Sequence, residues 1–459
     1  MTKIKRHKKR LHFIGIGGIG MSGIAEILMA QGHTVSGSDR QLSDITDYLQ
    51  HKGATIFEGH QAAFDDTVDF VIYSSAIKQD NIEMLEAQKS NIPVIRRAEM
   101  LGQLMRQKYG VAIAGTHGKT TTTSMLGNIF IDSQMDPTII VGGKLNNLKT
   151  NARLGSGEIF VTEADEYDRS FLALYPNVAI ITNIEEDHLD IYKDINDIKR
   201  TFVEFTRHIS FDGVVVMGVD DENVRDIIKD VQQTIITYAV EHPADYTASE
   251  IDASAGGVAF NLAHNGNVLG RIKLPMPGLH NVKNALAASA AAIDMGIGFS
   301  AVKKGLENFS GVARRFEIKG IVKDVIIVDD YAHHPTEVSA ALQSALKGWN
   351  KQVVAVFQPH LYSRTRDLYK EFAEALFAAD EVVVMDVYPA REEPIEGVSG
   401  ALIVDELKKM NHQAAMYVQK KSGLIEAVKD IIKNDSIVLF MGAGDITRYP
   451  DRLLKELQQ

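Results

Sequence analysis

Short apolar runs recur along the chain, and nearly all end in the same way. A strand-like stretch passes into glycine, serine or a carboxylate, and a segment with helical spacing follows. The first, "LHFIGIGGIGMSGIAEILMAQGHTVSGSD", predicts strand, tight glycine turn, helix and a second strand ending at Asp39. "VDFVIYSSAI", residues 68–77, is another apolar strand, ending in Ser74 and Ser75. "YGVAIAGTHGKTTTTSMLGNIF" repeats strand, turn and helix. "IFVTEADEYD" leaves its apolar run at Glu163, and "NVAIITNIEEDHLDIY" leaves its own among Glu185, Glu186, Asp187, His188 and Asp190. "DGVVVMGVDD" and "QTIITYAV" add strands, and "LPMPGLHNVKNALAASAAAIDMG" reads as a proline-bounded turn before an alanine-rich helix starting near Asn281. From Ile318 onward, "VIIVDDYAHHPTEVSAALQSAL", "QVVAVFQPH", "EVVVMDVY" and "SIVLFMGAGD" bring further strands with helices between them. Such alternation predicts α/β domains, in which ligands gather at the carboxyl ends of strands. The texture changes near Lys108 and Ile318, which predicts three domains over residues 1–108, 109–317 and 318–459.

Composition agrees with a large folded core. Of 459 residues, 45% are apolar and 24% charged, which excludes a disordered chain or a fibre. A net charge of -11 opposes a nucleic-acid backbone, and the one dense basic run, residues 3–10, reads as a solvated terminal tail. The apolar continuation of that tail is too short and glycine-rich for a signal-peptide core, and no apolar stretch is long enough to span a bilayer. The absence of cysteine excludes disulfides and cysteine catalysis, and suits a soluble, cytoplasmic protein.

Two glycine turns carry the chemistry. Gly15, Gly17 and Gly20 form G-x-G-x-x-G, with Asp39 nineteen residues beyond the last glycine. Glycines let the backbone approach a pyrophosphate, and the helix start offers it unpaired N–H groups. NAD and a UDP-linked ligand both satisfy that requirement. The second turn departs from the usual G-x-x-x-x-G-K-[ST], because Ile113 stands where a glycine is needed. Gly115, Gly118, Lys119 and Thr120 keep its functional end: N–H groups for phosphate oxygens, a neutralising cation and a hydroxyl for Mg²⁺. Glu163 is the leading carboxylate for that metal, with Glu166 in reserve. His188 could ligate a metal or stabilise a transferred phosphoryl group, whereas His412 reads as incidental surface or packing chemistry. Hydrolysis, phosphoryl transfer to a hydroxyl and carboxylate–amine ligation all remain open on these groups. Ligation explains best why the chain needs more than one binding region.

In chain order, "GTHGKT", "EADE", "NIEEDH", "PGLHNVKNALAA", "RRFE", "DDYAHHPTE" and "FQPHLYSRT" resemble the ATP-dependent Mur ligase family over nearly the whole chain. The opening "HFIGIGGIGMSGIAE" resembles its alanine-adding branch. The resemblance implies a Rossmann-like N-terminal domain for a UDP substrate, a central P-loop ATPase domain and a Rossmann-like C-terminal domain. It implies that ATP and Mg²⁺ drive the joining of L-alanine to the carboxylate of UDP-N-acetylmuramate through an acyl phosphate, a step in making peptidoglycan precursors. By the same resemblance, Gly15, Gly17, Gly18, Gly20, Met21, Ser22, Ser74 and Ser75 surround the UDP substrate, with Asp39 beside its uridine end. Gly115, Thr116, His117, Gly118, Lys119, Thr120 and Thr121 would hold the ATP phosphates, Asn281 and Asn284 adenine, and Arg315 and Asp330 phosphate and ribose. Thr120, Glu163 and His188 would organise metal, and Lys119, Glu163 and His188 form the catalytic set. His333, His360, Tyr362 and Arg364 belong to the amino-acid end, with Arg364 as clamp for the alanine carboxylate. The chain departs from the family at two points. Leu361 stands where arginine is often found, and Val203 stands where several related ligases carry a modified lysine.

Overall fold

The computed structural model describes residues 7–61, 67–145, 150–188, 191–254, 256–390 and 392–459. They form two compact units. The first runs to Ser249 and takes in Leu262–Gly270 and Lys283–Ser310; the second comprises Glu250–Asn261, Arg271–Val282 and Gly311–Gln459.

The first unit opens with a five-stranded parallel sheet in the order Thr55–Glu58, Thr34–Asp39, Arg10–Ile14, Phe70–Tyr73, Val94–Arg96. Its central strand is covered on both faces, which explains its continuous apolar run. Leu11 and Phe13 pack with Ile24 and Ile27 of the helix Ile19–Ala30, while Ile14 packs with Val71, Met84 and Ala87 on the other face. Gly23 of that helix lets the strand Thr150–Arg153 cross closely. A Cβ there would lie 3.2 Å from Asn151 Nδ2 and 3.3 Å from Ala152 Cβ, so Gly23 serves packing.

A second sheet continues this unit in the order Thr234–Ala239, Val214–Gly218, Val178–Ile181, Tyr109–Ala114, Ile159–Glu163, Thr138–Leu145, Thr150–Arg153. All of these pairings are parallel except the last, which is antiparallel. Three further strands, Tyr246–Ser254, Gly257–His264 and Asn267–Leu274, follow Thr234–Ala239 in the strand order, with their residues divided between the two units. No unbroken apolar run marks these three, because polar residues or glycine interrupt each of them. Their signal is the Asn265–Gly266 pair, both residues at positive φ (49° and 77°), a two-residue hairpin turn.

The second unit carries a six-stranded sheet in the order Glu317–Val322, Val325–Asp330, Ser436–Met441, Gln352–Phe357, Glu381–Met385, Ala415–Val418. The Glu317–Val322 edge is antiparallel and the rest parallel. Ile327, Val328, Val354, Leu439 and Phe440 are fully buried between its helical layers. Among the described residues no helix is long and apolar enough to cross a membrane. Of the basic N-terminal run, residues 3–6 lie outside the described residues. Lys9 is tied down by Asp69 at 2.8 Å and Arg10 begins the first strand, so this end of the run is part of the fold.

Candidate active site

The phosphate-type loop joins the strand Tyr109–Ala114 to the helix Lys119–Asp132. Its two glycines are required by geometry. Gly115 has φ +130°, and a Cβ there would sit 2.0 Å from Thr182 Oγ1; Gly118 has φ +85°, and a Cβ there would sit 2.5 Å from Asn284 Oδ1. The neighbouring parallel strand braces the loop from behind. Thr116 N donates to Asn183 O at 3.0 Å, His117 N donates to Asn183 Oδ1 at 2.8 Å, and Thr182 Oγ1 donates to His117 O at 2.6 Å. Thr116 Oγ1 accepts from Glu185 N at 2.9 Å. Ile113 lies inside the strand, fully buried, so the departure from the longer motif precedes the part of the loop that turns. Thr120 and Thr121 are buried in the first helical turn, and Thr122 donates to Asn284 at 3.2 Å.

Lys119 Nζ donates to both oxygens of Glu166 at 2.8 Å, to Gly115 O at 2.6 Å and to Thr116 O at 3.2 Å. Burial works against the lysine's charge, but Glu166, with Asp165 and Glu163, outweighs it and holds Lys119 above its ordinary pKa. Glu166, the reserve choice for metal, is therefore the lysine's partner in this structure. Tyr192 Oη donates to the Glu166 backbone carbonyl at 2.6 Å. Glu163, at the end of its strand, accepts from Gly142 N at 2.6 Å. His188 has φ +58°, a left-handed conformation uncommon outside glycine, and its Nε2 lies 3.8 Å from Glu166 Oε1. Its ring meets Tyr167 edge-on at 5.1 Å. Lys119, Glu163, Glu166 and His188 thus lie at the carboxyl ends of three strands in one sheet, where α/β proteins place their ligands.

The first glycine turn is held by the strand beside it. Gly15 N and Ile16 N donate to Ser38 O at 2.8 and 3.0 Å, and Gly17 N donates to Asp39 Oδ2 at 2.8 Å. Asp39 therefore shapes the loop itself. Met21 and Ser22 are placed differently from their neighbours: Met21 is buried in the core, and the Ser22 hydroxyl donates to Ile19 O at 2.9 Å. Their side chains complete the helix start, while Gly15, Gly17, Gly18 and Gly20 form the turn. Ser74 lies against Gly15, and a Cβ at Gly15 would be 3.6 Å from Ser74 Cβ. Ser75 lines a cleft of about 590 Å³ with Tyr73, Arg96, Arg97, Arg106 and Arg169. Four arginines against the lining carboxylates Glu99 and Asp168 make this cleft locally basic in an acidic protein. Arg97 also covers Gly20 and pairs with Asp165 at 3.6 Å. Sequence reasoning missed these arginines and the Thr182–Asn183 brace. Arginine beside a helix start reads as a solvated residue until the fold turns it inward.

In the second unit, Asp330 is buried and accepts from Phe316 N and Ala332 N, each at 2.7 Å. Burial pushes its carboxyl up to about 6, against the pull of Arg315 and of those two N–H groups. Arg315 lies 3.4 Å from Glu337 and over the ring of Tyr331. His333 sits 6.1 Å from His360 between ring centroids, and His360 stacks on Tyr388. Leu361 has φ +71° and donates its N–H to Tyr388 O at 3.0 Å, launching the helix Tyr362–Leu376 that carries Tyr362 and Arg364. Burial and Asp386 raise the Tyr362 phenol. Asn281 donates to Pro277 O at 2.7 Å, while Asn284, on the same helix Leu279–Asp294, belongs to the first unit's phosphate loop.

Two glycine loops at strand ends, one of them with a half-buried lysine paired to a carboxylate cluster, define a nucleotide-handling α/β enzyme. The chain belongs to the Mur ligase family. Residues 10–109 match the Mur ligase family catalytic domain, 113–292 the Mur ligase middle domain and 314–444 the Mur ligase glutamate ligase domain. Mur ligases are ATP-dependent. The chain is 46% identical over 450 residues to the UDP-N-acetylmuramate–L-alanine ligase of Geotalea uraniireducens (strain Rf4), covering 98% of each. Among solved structures it is similar to the UDP-N-acetylmuramate-alanine ligase of Thermotoga maritima, with TM-score 0.84 and 33% identity over 98% of this chain and 99% of that one. It is also similar to a murein peptide ligase of Psychrobacter arcticus, with TM-score 0.72 and 28% identity over 98% of each.

Proposed function

We propose that the protein joins L-alanine to the carboxylate of UDP-N-acetylmuramate, with ATP converted to ADP and phosphate, in the cytoplasmic assembly of peptidoglycan precursors. The observation that carries this reading is the full-length match to an alanine-adding ligase, 46% identical over 98% of both chains. The structural match points the same way: the alanine-adding neighbour scores 0.84, the peptide-adding one 0.72. Addition of a preformed peptide to the same sugar nucleotide is the second reading, favoured only by that weaker likeness.

The residues divide the work. The N–H groups of the turn at Gly15, Gly17, Gly18 and Gly20, with Ser74, Ser75 and the arginine-lined cleft, receive the pyrophosphate and sugar. The loop from Gly115 to Thr121 receives the ATP phosphates, with Lys119 exchanging its Glu166 partner for phosphate oxygens. The family resemblance assigns Asn281 and Asn284 to adenine, and Arg315 and Asp330 to phosphate and ribose. Thr120 and Glu163, with His188, would hold Mg²⁺, the first two through hard oxygen donors suited to it, and the ion when bound would neutralise phosphate charge. A carboxylate oxygen of the sugar attacks the γ-phosphorus, the bond to the bridging oxygen breaks and ADP leaves. The alanine amine, held by Arg364 with His333, His360 and Tyr362 shaping its surroundings, attacks the acyl carbon. Phosphate leaves with the oxygen that attacked, and the amine gives up its proton. Positioning and preorganised positive charge lower both barriers.

The chemistry is tested by labelling the UDP-N-acetylmuramate carboxylate with ¹⁸O. An acyl phosphate requires one label to appear in the released phosphate; unlabelled phosphate alongside ligated product would sink this route.

A further inference from the structure

Beneath the first glycine turn, the sheet face covered by the helix Ile82–Lys89 is interrupted by a polar cluster that no role above uses. Ser38 and His12 come from adjacent parallel strands and Glu83 from the first turn of the helix, and all three are fully buried. Ser38 Oγ donates to Glu83 Oε2 at 2.5 Å. His60 Nδ1 lies 3.2 Å from that same oxygen and 3.2 Å from Ser38 Oγ. His12 Nε2 lies 3.5 Å from Glu83 Oε1, and His12 Nδ1 lies 2.9 Å from Ser36 Oγ. Around this cluster and Ser36, Ile14, Val71, Tyr73, Met84, Ala87 and Ile92 form an apolar core.

A buried charge is a poor source of stability. Its desolvation offsets much of what its partners return, and apolar residues of similar volume often serve a core better. The position of the cluster supplies another reason for it. Ser38 is the penultimate residue of the strand Thr34–Asp39, and its carbonyl accepts from Gly15 N and Ile16 N. The next residue, Asp39, accepts from Gly17 N. The strand end that Glu83 grips from below is thus the one that shapes the glycine turn above. The helix is started by Asn81, whose side chain accepts from Glu83 N at 2.9 Å and so fixes where Glu83 enters the sheet.

We propose that Glu83 is a positioning residue for the UDP-substrate loop: through the Ser38 hydroxyl it fixes the carboxyl end of the strand that sets the turn at Gly15 and Gly17. The proposal rests on the reading of that loop as the pyrophosphate site. Burial works to raise the Glu83 carboxyl, but the His12 ring beside it, the Ser38 hydroxyl that it accepts from and the adjacent His60 ring outweigh burial and hold it below the ordinary range.

The test uses the full-length protein with Glu83→Ala, Glu83→Gln, Ser38→Ala and, as a packing control on the same helix, Met84→Ala. Calorimetric binding of UDP-N-acetylmuramate and steady-state kinetics are measured for each. Glu83→Ala and Ser38→Ala should weaken UDP-substrate binding about tenfold, with kcat and the KM for ATP within about twofold of wild type. Glu83→Gln should recover most of the loss, because its amide oxygen still accepts the Ser38 hydroxyl. Met84→Ala should lower the melting temperature and leave UDP-substrate affinity unchanged. Wild-type affinity in Glu83→Ala, an equal loss in Glu83→Gln, or an equal loss in Met84→Ala would overturn the proposal. Should Glu83→Ala not fold, Ser38→Ala decides, and unchanged affinity there overturns it. Wild-type protein that itself fails to bind UDP-N-acetylmuramate overturns the loop reading, and this proposal with it.

Discussion

Replacing Lys119 with alanine does two separable things. It removes the cation of the phosphate loop, and it leaves Glu166 without the partner that engages both of its oxygens at 2.8 Å. The Glu166 side chain is only 4% exposed, so its carboxylate is poorly solvated once the lysine is gone. Breaking a buried pair from one side costs about 3–5 kcal/mol, a large part of the roughly 5–15 kcal/mol that holds a typical domain together. Lys119→Ala should therefore unfold at distinctly lower urea concentration. Adding Glu166→Gln removes the stranded charge, and the double variant should regain more than half of the lost stability. Turnover should not follow, because neither variant restores a cation at the phosphates, and loss of one such group lowers kcat by roughly 10²–10³-fold. Paired urea denaturation and phosphate-release assays on the three proteins read both effects. A Lys119→Ala protein as stable as wild type, or a double variant that recovers turnover with its stability, would refute the reasoning.

Two further predictions concern backbone and pH. Gly118→Ala puts a Cβ into a left-handed residue at φ +85° and within 2.5 Å of Asn284 Oδ1. Conformation alone costs about 1–2 kcal/mol, and the KM for ATP should rise while UDP-substrate affinity holds; unchanged stability and KM would contradict the geometry. Burial and the nearby Arg315 push His280 from 6.5 down to about 4. Between those values the unfolded chain binds a proton that the folded chain does not, so the histidine's contribution is complete above about pH 6.5 and is lost as pH falls toward about 4. Urea denaturation at pH 7 and near pH 4.5 should show wild type losing more stability than His280→Gln, and equal losses would refute the assignment.

The strand-turn-helix units were legible because each demands particular residues at fixed spacing. An apolar run that must be buried on both faces, a glycine at positive φ and a helix start leave few alternatives, as at Gly115, Gly118 and Lys119. What distant strands bring to such a loop was not legible. Asn183 and Thr182 brace it from a neighbouring strand, and their spacing in the chain does not announce it. Glu166 was visible as one acid among several, but only the fold turns it onto Lys119. Asp39, a ligand candidate by its place at a strand end, also accepts from Gly17 N, a contact its spacing in the chain does not announce. Arg97 and Arg106, on and just beyond a helix of ordinary polar pattern, gave no sign that they line a cleft. The buried His12, Ser38 and Glu83 interrupt an apolar face, and their pattern resembles poor burial until their hydrogen bonds are seen.

The central claim is that this chain uses ATP to attach L-alanine to UDP-N-acetylmuramate. The most direct measurement follows ADP release with UDP-N-acetylmuramate present and only the amine acceptor varied, with the product weighed by mass spectrometry. ADP release should depend on L-alanine, and the product should carry the mass of one added alanyl residue. No ligated product with L-alanine, alongside product from another amine or peptide, would contradict it.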